Sequence, residues 1–214
     1  MPDCAREVMP TVLITGASRG LGLEFARQYA ELGWHVLSTC REPDRASALR
    51  ELSERHPSMC LHALDVTQDK SVRSLAEVLD GTTIDVLLNN AGIAGRIDRQ
   101  VLGALDYGVG HETMETNLFG PLRMAEAFLE HVAASAQRKI MTISSALGSI
   151  SSTTGGSFFY RCSKSAVNMA MASLARDVAQ RGVIVGVLSP GVVATDLTAD
   201  LDAQKITPQE SISG

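Results

Sequence analysis

The stretch TVLITGASRGLG, residues 11–22, decides the fold. TVLIT reads as a short buried strand and stops at Gly16. Two further glycines follow at 20 and 22, and a helical pattern starts at Leu21 and runs through Phe25 and Tyr29. A strand that turns through glycines into a helix is the layout of a dinucleotide site. The glycines let the backbone turn tightly and approach a diphosphate, and the free N–H groups of the first helical turn face the anion. The candidate cofactor residues here are Gly16, Ser18, Arg19, Gly20, Leu21 and Gly22. The spacing is G-x-x-x-G-x-G rather than the usual G-x-G-x-x-G, so the turn alone also fits a glycine-rich bend without a ligand.

Working outward, short apolar runs alternate with longer helical patterns. Strands are expected over 11–15, 35–40, 60–64, 84–89, 139–144 and 183–189, with Asp85 interrupting the fourth. Helices are expected near 20–32, 44–55, 69–80, 111–134 and 160–181. This alternation predicts βαβ units: an α/β, Rossmann-type doubly wound parallel sheet in a three-layer αβα arrangement. With 214 residues there is enough chain for one substantial core. Residues 1–10 read as an N-terminal extension and 11–214 as one dinucleotide-binding domain with an integral substrate site. In the last helix Ala166, Met169, Ala170, Ser173 and Leu174 fall near one face, where small residues permit close packing against the sheet or against another subunit.

Composition narrows the function classes. Apolar residues make up 45% and charged residues 20%, with a formal net charge of −5. That balance argues against nucleic acid or an anionic membrane as the main partner. The longest apolar runs are too short to span a bilayer, and the first ten residues lack a signal-peptide core. Cys4, Cys40, Cys60 and Cys162 form no CxxC pair, which predicts a reduced, cytoplasmic setting. The five histidines show no metal-ligand spacing, and no metal site is expected.

The second strand, HVLSTC, ends beside Arg41. In NAD-binding relatives of such folds an acid near this point bonds the ribose 2′-hydroxyl. No acid occupies 38–41 here. Arg41 and Arg19 can instead grip a 2′-phosphate, because guanidinium is a planar fork matched to phosphate oxygens. NADP(H) is therefore expected over NAD(H).

FFYRCSK, residues 158–164, holds a phenol and an ammonium four positions apart, Tyr160 and Lys164. Residues i and i+4 share a helix face. A free phenol titrates near pKa 10, too high to exchange protons readily at neutrality, and a neighbouring cation is expected to lower it. The pair alone also fits an exposed aromatic and cation with no chemistry.

Read together, T-G-A-S-R-G-L-G (15–22), L-D-V (64–66), N-N-A-G (89–92), E-T-N-L-F-G (115–120), I-S-S (143–145), Y-R-C-S-K (160–164) and S-P-G-V-V-A-T (189–195) occur in that order. The set resembles the single-domain branch of the short-chain dehydrogenase/reductase family, over about residues 11 to 197. The segment around 144–169 is similar to the subgroup containing the sniffer carbonyl reductase and C-factor-like proteins. The resemblance implies a catalytic tetrad of Asn117, Ser145, Tyr160 and Lys164. It implies that Asp65 and Val66 meet the adenine, and that the segment Asn89 to Gly92, with Asn89, Ala91 and Gly92 at the cofactor, shapes the adenine-ribose side and braces the central sheet. Pro190, Gly191, Val193 and Thr195 would border the nicotinamide. Tyr160 would act as general acid, Ser145 would bond the carbonyl oxygen, and Asn117 would hold a water that joins Lys164 to solvent. Lys164 would also reach the ribose hydroxyls. Ser144 is the structural alternative to Ser145, its hydroxyl expected on backbone, and Cys162 reads as packing.

The expected reaction is hydride transfer between NADP(H) and a small-molecule aldehyde, ketone or secondary alcohol. Two competing readings are a nucleotide-binding regulatory or signalling protein without turnover, and an epimerase or dehydratase of the family's longer branch. The resemblance also implies a homodimer or homotetramer. After Thr195 the chain reads DLTADLDAQKITPQESISG and stops, where family members usually continue, so the C-terminal end is expected to be incomplete. Phe158, Phe159, Thr153, Leu147 and residues 93–110 are candidates for an apolar mouth, and core packing explains them equally well.

Overall fold

The computed structural model describes residues 9–199 and 203–213. The extension expected over residues 1–10 lies, up to residue 8, outside the described residues. Six strands form one sheet: β1 (Thr11–Ile14), β2 (His35–Cys40), β3 (Met59–Ala63), β4 (Val86–Asn89), β5 (Lys139–Ile143) and β6 (Ile184–Leu188). Their order is β3-β2-β1-β4-β5-β6, and every pairing is parallel. The expected doubly wound fold is what the chain adopts.

Side chains alternate across each strand, so consecutive residues feed opposite layers. Val12, Ile14, Val36 and Leu88 face helices α1 (Gly20–Glu31) and α2 (Ser47–Arg55), packing with Ala26, Ala30, Leu49 and Leu52. Leu13, Leu37, Leu87 and Ile140 face α3 (Asp69–Val78) and α5 (Gly120–Ala133), against Val72, Leu75, Met124 and Phe128. Full burial of each large apolar side chain stabilises the fold by about 1.5–3 kcal/mol relative to exposure. The fourth strand starts at Val86 rather than 84 for a reason visible in the chain. Asp85 is buried, and its carboxylate accepts the N–H groups of Thr11 at 2.9 Å and Gln137 at 3.2 Å. It ties together the amino-terminal approaches to β1 and β5.

The helix expected over 111–134 begins earlier and is not uniform. Helix α4 (Tyr107–Met114) starts at Asp106, whose side chain caps the Gly108 N–H at 2.9 Å. It passes through a π-turn, Glu115–Phe119, into α5. There the Gly120 N–H reaches back five residues to the Glu115 carbonyl, and Pro121, which follows, has no N–H to offer the carbonyl of Asn117 four residues back.

Helix α6 (Phe158–Asp177) buries Tyr160, Ser163, Lys164, Val167 and Met171, a stripe at three- and four-residue spacing. The stripe singled out in the sequence is largely not the buried one. Met169 is 70% exposed and Ser173 is exposed, while Leu174 packs on the core. The tetrad positions, not the small residues, set the rotation of this helix. A short helix α7 (Pro208–Ser213) lies against α1.

Candidate active site

Candidate residues follow the carboxyl end of every strand of the sheet. Gly16 follows β1, Arg41 follows β2, Asp65 follows β3, Ala91 and Gly92 follow β4, Ser145 follows β5 and Pro190 follows β6. The strand order reverses between β1 and β4. A crevice opens at such a switch point, and ligands bind there in open α/β sheets.

The turn after β1 is shaped for close backbone approach. Gly16 has φ +69°, and a β-carbon there would lie 2.9 Å from the Ala91 Cα. A β-carbon on Gly22 would lie 2.2 Å from the Gly16 carbonyl oxygen. The sequence reading missed what locks this turn. The Thr15 hydroxyl accepts the N–H groups of Asn90 and Ala91, each at 3.0 Å, while Asn90 Nδ2 donates to the Thr15 and Gly16 carbonyls at 2.8 and 3.2 Å. The second residue of N-N-A-G therefore ties β4 to the glycine turn, a role that a conspicuous Asn pair could have signalled. Asn89 is buried and bonds Thr142 on β5 at 3.4 Å, a brace across the sheet.

This bare, helix-initiating turn fits a dinucleotide diphosphate. Ser18, Gly20 and Leu21 are half-buried around it. Asp65 is held by Thr67, whose N–H and hydroxyl both donate to Oδ1, at 2.9 and 2.7 Å. Val66 is buried at the start of the same loop. Arg41 is exposed at the mouth. Arg19 reaches across to Asp196 at 3.2 Å, with both side chains about three-quarters exposed. Such an exposed pair contributes at most about 1 kcal/mol and is readily exchanged for a stronger anion. The far wall comes from the segment after β6: Ala194, Thr195, Asp196 and Pro208 face Arg19, Gly20, Leu23 and Glu24 across a cleft of about 330 Å³. Pro190 is half-buried and Gly191 exposed, while Val193 is buried and bridges to Ile206.

The four tetrad positions converge. Lys164 and Tyr160 are buried on one face of α6, with the Lys164 Nζ 5.8 Å from the centre of the Tyr160 ring. Nζ donates to the Ile143 carbonyl at 2.9 Å. Gly92 is the point where they meet Asn117: a β-carbon placed on it would lie 3.3 Å from Asn117 Oδ1 and 3.6 Å from Nζ. Asn117 sits in the π-turn and is almost fully buried. Its Oδ1 accepts the Ile93 N–H at 2.9 Å, and its Nδ2 donates to the Ile93 carbonyl at 2.9 Å and to Ser163 Oγ at 3.0 Å. The side chain expected to hold a water is thus engaged in holding the chain after β4. Ser145 Oγ accepts the Leu147 N–H at 3.1 Å. The Ser144 hydroxyl donates to the Asn168 side chain at 2.6 Å rather than to backbone.

Electrostatics differ from the expectation in one respect. Burial pushes the Tyr160 phenol above its ordinary value, and the Ser145 hydroxyl pulls it part of the way back. Burial also depresses Lys164, to about 8. In the free chain the ammonium points to the Ile143 carbonyl and is not the group that lowers the phenol. A low dielectric penalises phenolate and ammonium alike, so each member of the pair leans toward its neutral form.

The mouth is only partly as expected. Phe158 and Leu147 are exposed beside the site. Phe159 instead packs between helices, its ring 5.8 Å from that of Tyr107 and close against Gly110. Cys162 is exposed rather than packed.

A family model described as short chain dehydrogenase matches residues 10–206. The chain is 34% identical to 1-hydroxy-2-glutathionyl-2-methyl-3-butene dehydrogenase of Rhodococcus sp. strain AD45, over 96% of this chain and 88% of that protein. Among solved structures it resembles the NADPH-bound carbonyl reductase from chicken fatty liver, with a TM-score of 0.88 and 33% identity over 96% of this chain and 88% of that one. It also resembles the carbonyl reductase Sniffer of D. melanogaster, with a TM-score of 0.85 and 31% identity over 95% and 88% of the two chains.

Proposed function

Since the chain belongs to the short-chain dehydrogenase family, we propose that this oxidoreductase is an NADP(H)-dependent reductase of aldehydes or ketones, running in reverse on the corresponding secondary alcohols. The observation that carries the reading is the burial of Tyr160 and Lys164 on one helix face, with Ser145 beside the phenol. The bound nicotinamide supplies the hydride chemistry. The protein's own residues do the rest. Tyr160 gives its proton to the carbonyl oxygen as negative charge grows there. Ser145 is the hydroxyl placed to hydrogen-bond that oxygen. The Lys164 ammonium lies close enough to favour the phenolate left behind once it turns from the Ile143 carbonyl. Asn117 holds Ile93 and Ser163 through its side chain, and so fixes the chain after β4 against α6. Measuring NADPH consumption with a panel of aldehydes and ketones tests the reading. No turnover on any of them would favour a nucleotide-binding protein without catalysis.

The two adjacent serines separate cleanly by experiment. Ser145→Ala is expected to lower kcat by about 100-fold, the effect of removing one donor to a developing oxyanion. Ser144→Ala is expected to leave kcat nearly unchanged and to cost about 1 kcal/mol of stability through the lost Asn168 bond. Steady-state kinetics and thermal melts of the two variants decide the assignment.

Preference for NADP over NAD rests on Arg41 and Arg19 with no acid at the end of β2. Arg41→Ala is expected to weaken NADPH binding by at least about tenfold, the loss of one charge-assisted contact, and to leave NADH binding unchanged. Titrations monitored by cofactor fluorescence read both. Equal weakening for the two cofactors would remove Arg41 from the 2′-phosphate. The exposed face of α6, with Met169 outermost, supports assembly as a homodimer or homotetramer. Cys40, Cys60 and Cys162 are unpaired, which supports a reducing, cytoplasmic setting. No helix among the described residues is long and apolar enough to cross a membrane.

A further inference from the structure

We infer that Gln100 is a positioning residue for the proton donor, and that it acts by clamping the main chain of Tyr160. This inference rests on the reading of Tyr160 as general acid. The first N–H groups of a helix have no partner within it. They are usually met by a Ser, Thr, Asp or Asn side chain at the residue before the helix. At α6 that residue is Ser157, but it is left-handed (φ 45°, ψ 44°) and its hydroxyl caps nothing. The cap comes instead from a loop far upstream in sequence. The Gln100 carbonyl accepts the Phe158 N–H at 3.1 Å, and its side-chain Oε1 accepts the Tyr160 N–H at 2.8 Å.

The other half of the amide fixes where that cap sits. Gln100 Nε2 donates to the Ala94 carbonyl at 2.7 Å, with the Arg96 carbonyl at 3.4 Å. The side chain is fully buried. A β-carbon on Gly95 would lie 2.9 Å from Nε2, so the loop closes tightly round the amide.

These bonds complete a ring. Asn117 holds both the N–H and the carbonyl of Ile93, next to Ala94, and donates to Ser163 Oγ. Ser163 in turn donates to the Tyr160 carbonyl at 2.8 Å. Tyr160 is therefore held at its N–H by Gln100 and at its carbonyl by Ser163, and both holds lead back to the chain after β4. That chain carries Asn89–Gly92 at the cofactor crevice. Gln100 thus ties the distance between the acid and the cofactor side to main-chain bonds rather than to the phenol itself. The groups bonded to its amide are main-chain groups, which do not titrate, so Gln100 adds no pH dependence of its own.

Two substitutions test this. Gln100→Ala is expected to lower kcat by about 10- to 100-fold, the scale of a misplacement near 1 Å, with NADPH affinity unchanged within about twofold. Amide hydrogen exchange at Tyr160 should become at least about tenfold faster. Gln100→Glu keeps the shape but changes the donor. Its neutral acid can accept from Tyr160 and donate to Ala94, whereas its carboxylate can only accept. Its kcat should approach that of the unaltered chain at low pH and fall as pH rises through a carboxyl pKa that burial has raised. The inference is overturned if Tyr160 exchange is unchanged in Gln100→Ala, or if Gln100→Glu follows the unaltered chain at every pH. If Gln100→Ala does not fold, the glutamate variant still decides. If the unaltered chain reduces no carbonyl compound, the proposed function fails, while exchange at Tyr160 still judges the clamp.

Discussion

Tyr160→Phe is expected to keep the fold and the affinity for NADPH while losing about 10²–10⁴-fold in kcat, the range supplied by a positioned general acid. The ring is buried on α6, so phenylalanine fills the same space. The one interaction removed is that of the hydroxyl with Ser145. A loss confined to kcat would mean that the hydroxyl acts only as the reaction proceeds, since groups that bind the ground state equally would move KM. The pH profile adds a second reading. Burial holds the free phenol above its ordinary value, so its proton is retained throughout the neutral range, and reduction should be sustained at neutral pH and fade only in the alkaline range. The reverse reaction needs the phenolate and should rise with pH where reduction falls. Unchanged NADPH-dependent turnover in Tyr160→Phe would remove the phenol from the chemistry altogether.

Particular residues explain why so much of this was legible in the sequence. β1 is four buried residues, three of them apolar and β-branched or leucine, with Thr15 and then Gly16 after them, a pattern that suits a central parallel strand feeding a helix. The i, i+4 spacing of Tyr160 and Lys164 translates directly into a shared helix face, because helical geometry is local. What failed to show was nonlocal. The rotation of α6 depends on which stripe meets the sheet, and apolarity favoured Met169 and Leu174 over a buried tyrosine and lysine. The direction of the Tyr160 shift depends on burial and on where the Lys164 ammonium points, and neither is written in a spacing. Gln100 lies in RIDRQ, a polar stretch with no periodicity, yet it is fully buried because α6 brings the Tyr160 N–H to its side chain while its own loop folds the Ala94 carbonyl onto the same amide. The one sequence mark beside the π-turn is Pro121, whose missing N–H falls four residues after Asn117.

Lys164→Met is expected to abolish turnover to a similar degree, about 10²–10⁴-fold, yet to leave the ligand-free protein no less stable at pH 7. Burial depresses Lys164 to about 8, against an unfolded value near 10.4. Below pH 8 both states carry the proton, and the fold bears the full cost of a buried ammonium, about 3 kcal/mol. Between about pH 8 and 10.4 the unfolded chain binds the proton and the folded chain does not, so stability rises with pH across that window. Tyr160 acts with the opposite sign only above about pH 10, where the unfolded phenol ionises and the buried one does not. Methionine removes the charge and fills the stem's space. Against that gain stands the Ile143 carbonyl, which loses its donor at a cost of about 1–3 kcal/mol. The net change at pH 7 should lie between zero and a gain of about 2 kcal/mol, from the difference of those two costs. The variant should also lose the rise in stability between about pH 8 and 10. Denaturant melts at a series of pH values measure both. A lysine kept only to support the fold would give the reverse result, a clear drop in stability at pH 7. Stability retained while turnover disappears would mean that this ammonium is held in the interior against the fold's own preference, in the position from which it can act on Tyr160.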